Sequence, residues 1–212
     1  MSRAKKPGPA PARDRYHHGD LKRALVQAAL ELLRREGVSG LTLRGVARAA
    51  GVSSMAPYHH FADKTALVAA VAETGFDRLR DAMQGGANTA RSPAAKLQQT
   101  GVAAVVFAVE NPELYRVMFS PDLADKTEHP SLAATAQAAF MVVADAVSQC
   151  EGRGATEPSQ TRTTAVASWA MVHGLATLLI DGQLGEDACD PRQAKQLAVA
   201  TTDLLFEGLQ NQ

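Results

Sequence analysis

Between Leu41 and Leu67 the chain reads LTLRGVARAAGVSSMAPYHHFADKTAL, a stretch that gathers Thr42, Ser53, Ser54, Tyr58, His59, His60 and Lys64. Hydroxyls, helix N-termini and a lysine are the groups that clamp phosphate oxygens. Covalent chemistry has no comparable candidate. The sequence holds no HExxH, no Gly-rich phosphate loop and no GxSxG, and its carboxylates are scattered rather than paired on one expected face. A helical enzyme is therefore disfavoured, and no catalytic residue or cofactor is assigned. His59 and His60 are adjacent and cannot share a helix face, while Cys150 and Cys189 fit no metal-ligand or CxxC spacing, so no metal is expected either.

Those side chains need short helices to hold them. Leu21, Leu25, Ala28, Ala29, Leu32 and Leu33 recur at helical spacing, with Asp20 available as N-cap and Gly37 as the stop. Thr42 caps a second helix whose apolar face is Leu43, Val46, Ala47 and Ala50. Gly51 breaks that run, and Ser53 is placed to cap a third segment to His60. Two helices meeting at a sharp angle need a small residue at the crossing and a residue tolerant of positive φ in the turn, which Ala47 and Gly51 supply. Val52 can then anchor the turn in the core. Phe61 and Leu67 are expected in the core as well.

Downstream, Pro and Gly signals separate longer helices. These are expected from Asp63 or Lys64 to Met83 (ended by Gly85 and Gly86), from Ser92-Pro93 to Val109, and from Asn111-Pro112 to Phe119. Three more follow, over Pro130–Cys150, Pro158–Leu184 and Pro191–Leu209. The expected fold class is all-α with about nine helices. Its parts are a disordered basic arm at 1–15, a three-helix unit at 16–64 and a larger helical domain at 65–212. The most apolar stretch, 165–180, is shorter than the roughly 20 residues a membrane span needs and contains Ser168, His173 and Gly174, so no membrane partner is expected. Cytoplasmic localisation is the expectation, since no apolar leader stands at the N-terminus.

The formal net charge of zero hides a division. Residues 1–64 carry twelve Lys/Arg against five Asp/Glu, and residues 65–212 ten against seventeen. A basic N-terminal piece beside an acidic remainder suggests that the first meets a polyanion. A module whose basic end meets an acidic protein or a membrane surface would show the same asymmetry. Arg3, Lys5, Lys6, Arg13 and Arg15 among Pro7, Pro9 and Pro11 fit either a solubility tail or an arm that reaches DNA.

The 41–67 string resembles the signature of the TetR family of transcriptional regulators. That signature orders a Thr-capped helix, an Ala-Gly-Val-Ser turn, a Tyr-x-x-Phe recognition helix and a following Lys. Thr42, Ala50 to Ser53, Tyr58, Phe61, Lys64 and Leu67 match it position by position. The resemblance implies a helix-turn-helix that reads double-stranded DNA, with Thr42, Arg44, Ser53, Ser54, Met55, Ala56, Tyr58, His59 and Lys64 on the DNA side. Tyr58 has an alternative as a core aromatic with its hydroxyl at the surface. Two features depart from the pattern. Ser54 stands where relatives often carry a basic residue, and Pro57 deletes a backbone donor inside the recognition helix and disfavours helical geometry at Ala56.

The C-terminal part resembles a TetR subgroup whose ligand domain carries a Trp and a His-Gly pair, here Trp169, His173 and Gly174, preceded by a segment like FAVENPELYRVMF from Phe107 to Phe119. The resemblance implies a repressor that binds a palindromic operator as a homodimer and is released by a small-molecule effector. The last two helices are expected to make the dimer, because their apolar content exceeds what one face of a surface helix needs. The effector is expected to be largely apolar and to sit among Phe107, Tyr115, Met118, Phe140, Trp169 and His173. Core packing is the alternative for Trp169, His173, Met118, Met141 and Met171. The fourth helix is expected to connect Lys64 to the sensing part.

Overall fold

Five helices of this chain begin on a proline, the residue whose missing N–H costs nothing at the first helical position. They are α4 (Pro93–Glu110), α5 (Pro112–Met118), α6 (Pro130–Glu151), α7 (Pro158–Ile180) and α8 (Pro191–Gln210). Before them come α1 (His18–Glu36), α2 (Leu43–Ala49) and α3 (Lys64–Asn88). Side-chain caps close the entrances. Thr42 Oγ1 accepts from Gly45 N at 3.0 Å, Asp63 Oδ1 from Ala66 N at 2.8 Å, and Ser92 Oγ from Ala95 N at 3.2 Å. A computed structural model describes residues 18–123, 125, 128–151 and 158–210. The basic arm expected at 1–15 lies outside them.

Among the described residues the fold is all-helical, with eight α-helices rather than nine. The missing one is the expected helix from Ser53 to His60, where a single 3-10 turn spans Ala56–His59 instead. Pro57 is the cause. It has no N–H to give Ser53, and it turns Ala56 away from α geometry. The local bonds are accordingly tight, with Ala56 N on Ser53 O at 3.0 Å and Tyr58 N on Met55 O at 3.2 Å.

Three helix ends also differ from expectation. α1 already runs from His18, which puts Asp20 inside its first turn rather than at the cap. α3 does not stop at Met83 but continues through Gly85 and Gly86 to Asn88. α7 ends at Ile180, not Leu184. There Gly182 takes φ 69° and its N–H bonds Leu179 O at 2.9 Å, while Gln183 N reaches Leu178 O at 3.0 Å, closing the helix end.

α3 is the axis of the core. Its Leu67, Val71, Phe76, Leu79 and Met83 are fully buried, and it packs against α4, α5 and α6. α1 lays Leu25, Ala29 and Leu33 against the N-terminal turn of the structure, where Leu41, Val46 and Phe61 are buried. A second apolar cluster joins Val102 and Val105 of α4 to Leu179 of α7 and Ala194 and Ala198 of α8.

Two glycines let α3 approach its neighbours closely. A Cβ on Gly75 would come within 2.6 Å of Met118 Sδ, and one on Gly86 within 2.6 Å of the Gln99 carbonyl oxygen on α4. By length and composition α6 (Pro130–Glu151) and the Gln160–Ile180 part of α7 are apolar enough to cross a bilayer, a longer run than the 165–180 stretch suggested. Here both are laid against other helices, α6 on α3 and α4, α7 on α4 and α6.

Candidate functional site

The N-terminal unit shows the sharp turn its residues predict. Val52 N bonds Ala47 O at 3.0 Å across the turn, Ala47 is buried at the crossing, and Gly51 adopts φ 67°. A Cβ on Gly51 would meet nothing within 4 Å, so backbone conformation and not space demands the glycine. Phe61 and Leu67 are buried as expected, and Val52 packs against the same core.

Thr42, Arg44, Ser53, Ser54, Met55, Tyr58, His59 and Lys64 are all exposed, and Ala56 is half-buried. Tyr58 is 44% exposed and Met55 62%, so the core-aromatic alternative for Tyr58 fails, and Pro57 is the residue of that turn that points inward. Arg48, one turn along α2 from Arg44, is exposed too and was not singled out.

In the C-terminal body the expected effector residues divide. Phe119, absent from the expected set, is the hub of an aromatic chain. Its ring centroid lies 4.3 Å from that of His173, 4.8 Å from Tyr115, 5.3 Å from Phe76 and 6.2 Å from Trp169. Phe140 meets Trp169 edge-on at 6.1 Å. The Tyr115 hydroxyl stands 2.9 Å from His173 Nδ1. Burial raises the phenol pKa and lowers that of the imidazole, so a protonated phenol meets a neutral ring, and the ring's tautomer sets which of the two donates. Beside this pair, Arg116 of α5 bonds Asp181 at 3.1 Å as well as the Ile180 carbonyl, tying α5 to the end of α7.

Two cavities flank the aromatic chain. A narrow apolar pocket opens beside Trp169, with Met83 of α3, Leu97 and Ala104 of α4, Val143 of α6 and Val172 of α7 in its wall. Its polar lining is Gln98, Thr100, Ser168 and Thr202, none of which sequence reasoning picked out. On the far side a wider cleft brings Val38, Lys64 and Val68 opposite Tyr115, Phe119 and His173. Of the six residues expected around an effector, Trp169 lines the pocket and Phe140 backs it. Tyr115 and His173 line the cleft instead. Phe107 and Met118 are buried in the core and line neither cavity.

Two family models match the chain. Residues 25–71 match the model of bacterial regulatory proteins of the tetR family, and residues 97–202 that of the tetracyclin repressor-like C-terminal domain. The class A tetracycline repressor protein from transposon 1721 of Escherichia coli is 49% identical over 49 residues, 23% of this chain and 23% of that protein. The chain thus spans about a quarter of the length of the curated relatives it matches. A protein with unknown function from Rhodococcus sp. RHA1 superposes with TM-score 0.74 at 32% identity, covering 92% of this chain and 98% of that one. The TetR family transcriptional regulator PfmR from Thermus thermophilus shares the fold, with TM-score 0.63 at 17% identity over 86% of this chain and 97% of its own. With the C-terminal model matching residues 97–202, half of the chain, and the N-terminal model matching the helix-turn-helix segment, the chain belongs to the tetR family of bacterial regulatory proteins.

Proposed function

We propose that the protein is a repressor that binds a near-palindromic operator as a homodimer and is released by a small, largely apolar effector held beside Trp169. In this reading residues 16–64 meet DNA and residues 65–212 sense and dimerise, in the manner of the subgroup marked by Trp169, His173 and Gly174. The chain works where its operator is, in the cytoplasm.

One observation carries the reading. Helix α3 has Lys64, exposed like Thr42 and Tyr58, as its first residue and Met83 in the pocket wall. Whatever fills the pocket touches the element that positions the DNA-facing end. An effector acts only if it prefers the arrangement in which the two recognition turns miss the groove spacing. Val166 and Leu178 of α7 and Leu197 and Leu204 of α8 are exposed apolar side chains that pairing with a second copy would cover.

Sequencing the genomic fragments that co-purify with the protein tests the first half. They should share an inverted repeat with half-sites about one helical turn, or a multiple, apart. An asymmetric single site would refute the dimeric mode. For the second half, effector affinity is measured with and without operator. A coupling of about 1–3 kcal/mol weakens each partner's binding roughly 5- to 150-fold, and equal affinities would show that the pocket is not regulatory.

A further inference from the structure

Among the described residues three small hydroxyl side chains, Thr100, Ser168 and Thr202, are buried, and all three line the pocket beside Trp169. They come from three helices, α4, α7 and α8. Each hydroxyl spends its proton on its own helix. Thr100 Oγ1 donates to Lys96 O at 2.8 Å, Ser168 Oγ to Thr164 O at 2.8 Å, and Thr202 Oγ1 to Ala198 O at 2.7 Å. A hydroxyl has one proton and two lone pairs, so what remains for the pocket is acceptor capacity alone.

The rest of the wall adds no cation. No Lys, Arg or His lines the pocket, and the Gln98 side-chain amide is engaged by Asp203 at the exposed rim. An anion placed here would lose its water with no cation to compensate its charge. An apolar molecule with a hydroxyl or N–H finds both an apolar wall and a ready acceptor.

We infer that the pocket selects neutral, slender apolar molecules that carry a hydrogen-bond donor, and rejects carboxylates and phosphates of the same body. This rests on reading the pocket as the effector site, and it narrows that reading to one chemical class. Pure packing would be served as well by Val or Ala at these positions, which leave no lone pair beside the cavity.

Trp169 is the only tryptophan of the chain and lines the pocket, so its fluorescence reports occupancy directly. The full-length protein is titrated with octanol, its methyl ether and octanoate, the last above the titration range of a carboxylate. Octanol should bind roughly five- to tenfold more tightly than the ether, the worth of one hydrogen bond, and octanoate should not bind. The combined variant Thr100→Val, Ser168→Ala, Thr202→Val should bind the ether as the natural protein does and lose the preference for the alcohol. Binding of octanoate as tight as that of octanol, no preference for alcohol over ether, or no binding of any of the three overturns the proposal. Octanol that binds with the stated preference but leaves operator affinity unchanged upholds the chemical selectivity and removes the regulatory role instead.

Discussion

Gly85 and Gly86 sit side by side in the last turns of α3 and differ in what stands over them. A Cβ on Gly85 would meet nothing within 4 Å, whereas one on Gly86 would stand 2.6 Å from the Gln99 carbonyl oxygen and 2.8 Å from Ala103 Cβ. Gly85→Ala should therefore stabilise the protein by up to about 1 kcal/mol, through lower unfolded-state entropy and better helix propensity. Gly86→Ala receives nearly the same backbone gain, so the difference between the two variants isolates the steric effect. The obstacle at Gly86 is helix backbone and cannot rotate aside. α3 and α4 must part until the contact reaches ordinary separation, and overpacking of this kind costs about 1–3 kcal/mol. Thermal unfolding at equal protein concentration measures it, at roughly 2–4 °C per kcal/mol for a chain of this size. Gly86→Ala should melt below Gly85→Ala by about 2–12 °C. Equal melting temperatures would refute the claim that the α3–α4 seam needs a glycine there.

Three further outcomes follow from the same structure. Lys64→Ala should weaken operator binding to all sequences and lower the salt slope by about 1, and Tyr58→Phe should weaken it as well; folded variants that bind like the natural protein would place the docking face elsewhere. Leu178→Glu with Leu197→Glu should turn a dimer into a monomer by light scattering, and an unchanged mass would mean that α7 and α8 do not pair. Burial holds the His173 pKa below its ordinary 6.5, so the unfolded chain takes the proton first and stability falls as pH drops below that value. His173→Asn should accordingly lose less stability than the natural protein between about pH 7 and about pH 5, and parallel losses in denaturant titrations would contradict the assignment.

What could be read beforehand was local. Thr42 as a cap, Gly51 at positive φ, Phe61 and Leu67 inside: each follows from a residue and its near neighbours. The errors arose where two local signals competed or a distant helix decided. Ser53 looked like a cap, but Pro57 four residues on governs the turn. Gly85 and Gly86 looked like a stop, yet at Gly86 it is α4, packed alongside, that requires the missing Cβ. The expected effector residues divide for a related reason. Helical spacing shows that Phe107 and Met118 are apolar positions but not which helix covers them, and both are sealed in the core. Thr100, Ser168 and Thr202 carry no signature at all, because only the fold brings three helices together around them.

Gly75, pressed against Met118 of α5, lies eleven residues from Lys64 and eleven from Gly86. At the helical rise this is about 16 Å in each direction. A stiff rod held there tilts like a seesaw with unequal arms, because Met83, the residue this helix lends to the pocket wall, is only eight residues from Gly75. Any tilt about that fulcrum carries Lys64 through about 1.4 times the displacement of Met83 and in the opposite sense. A shift of about 1 Å at Met83 therefore reappears as about 1.4 Å at Lys64, within the 1–2 Å helix shifts by which regulated interfaces repack. The placement of the pin, more than the length of the rod, sets how much movement a small molecule must produce.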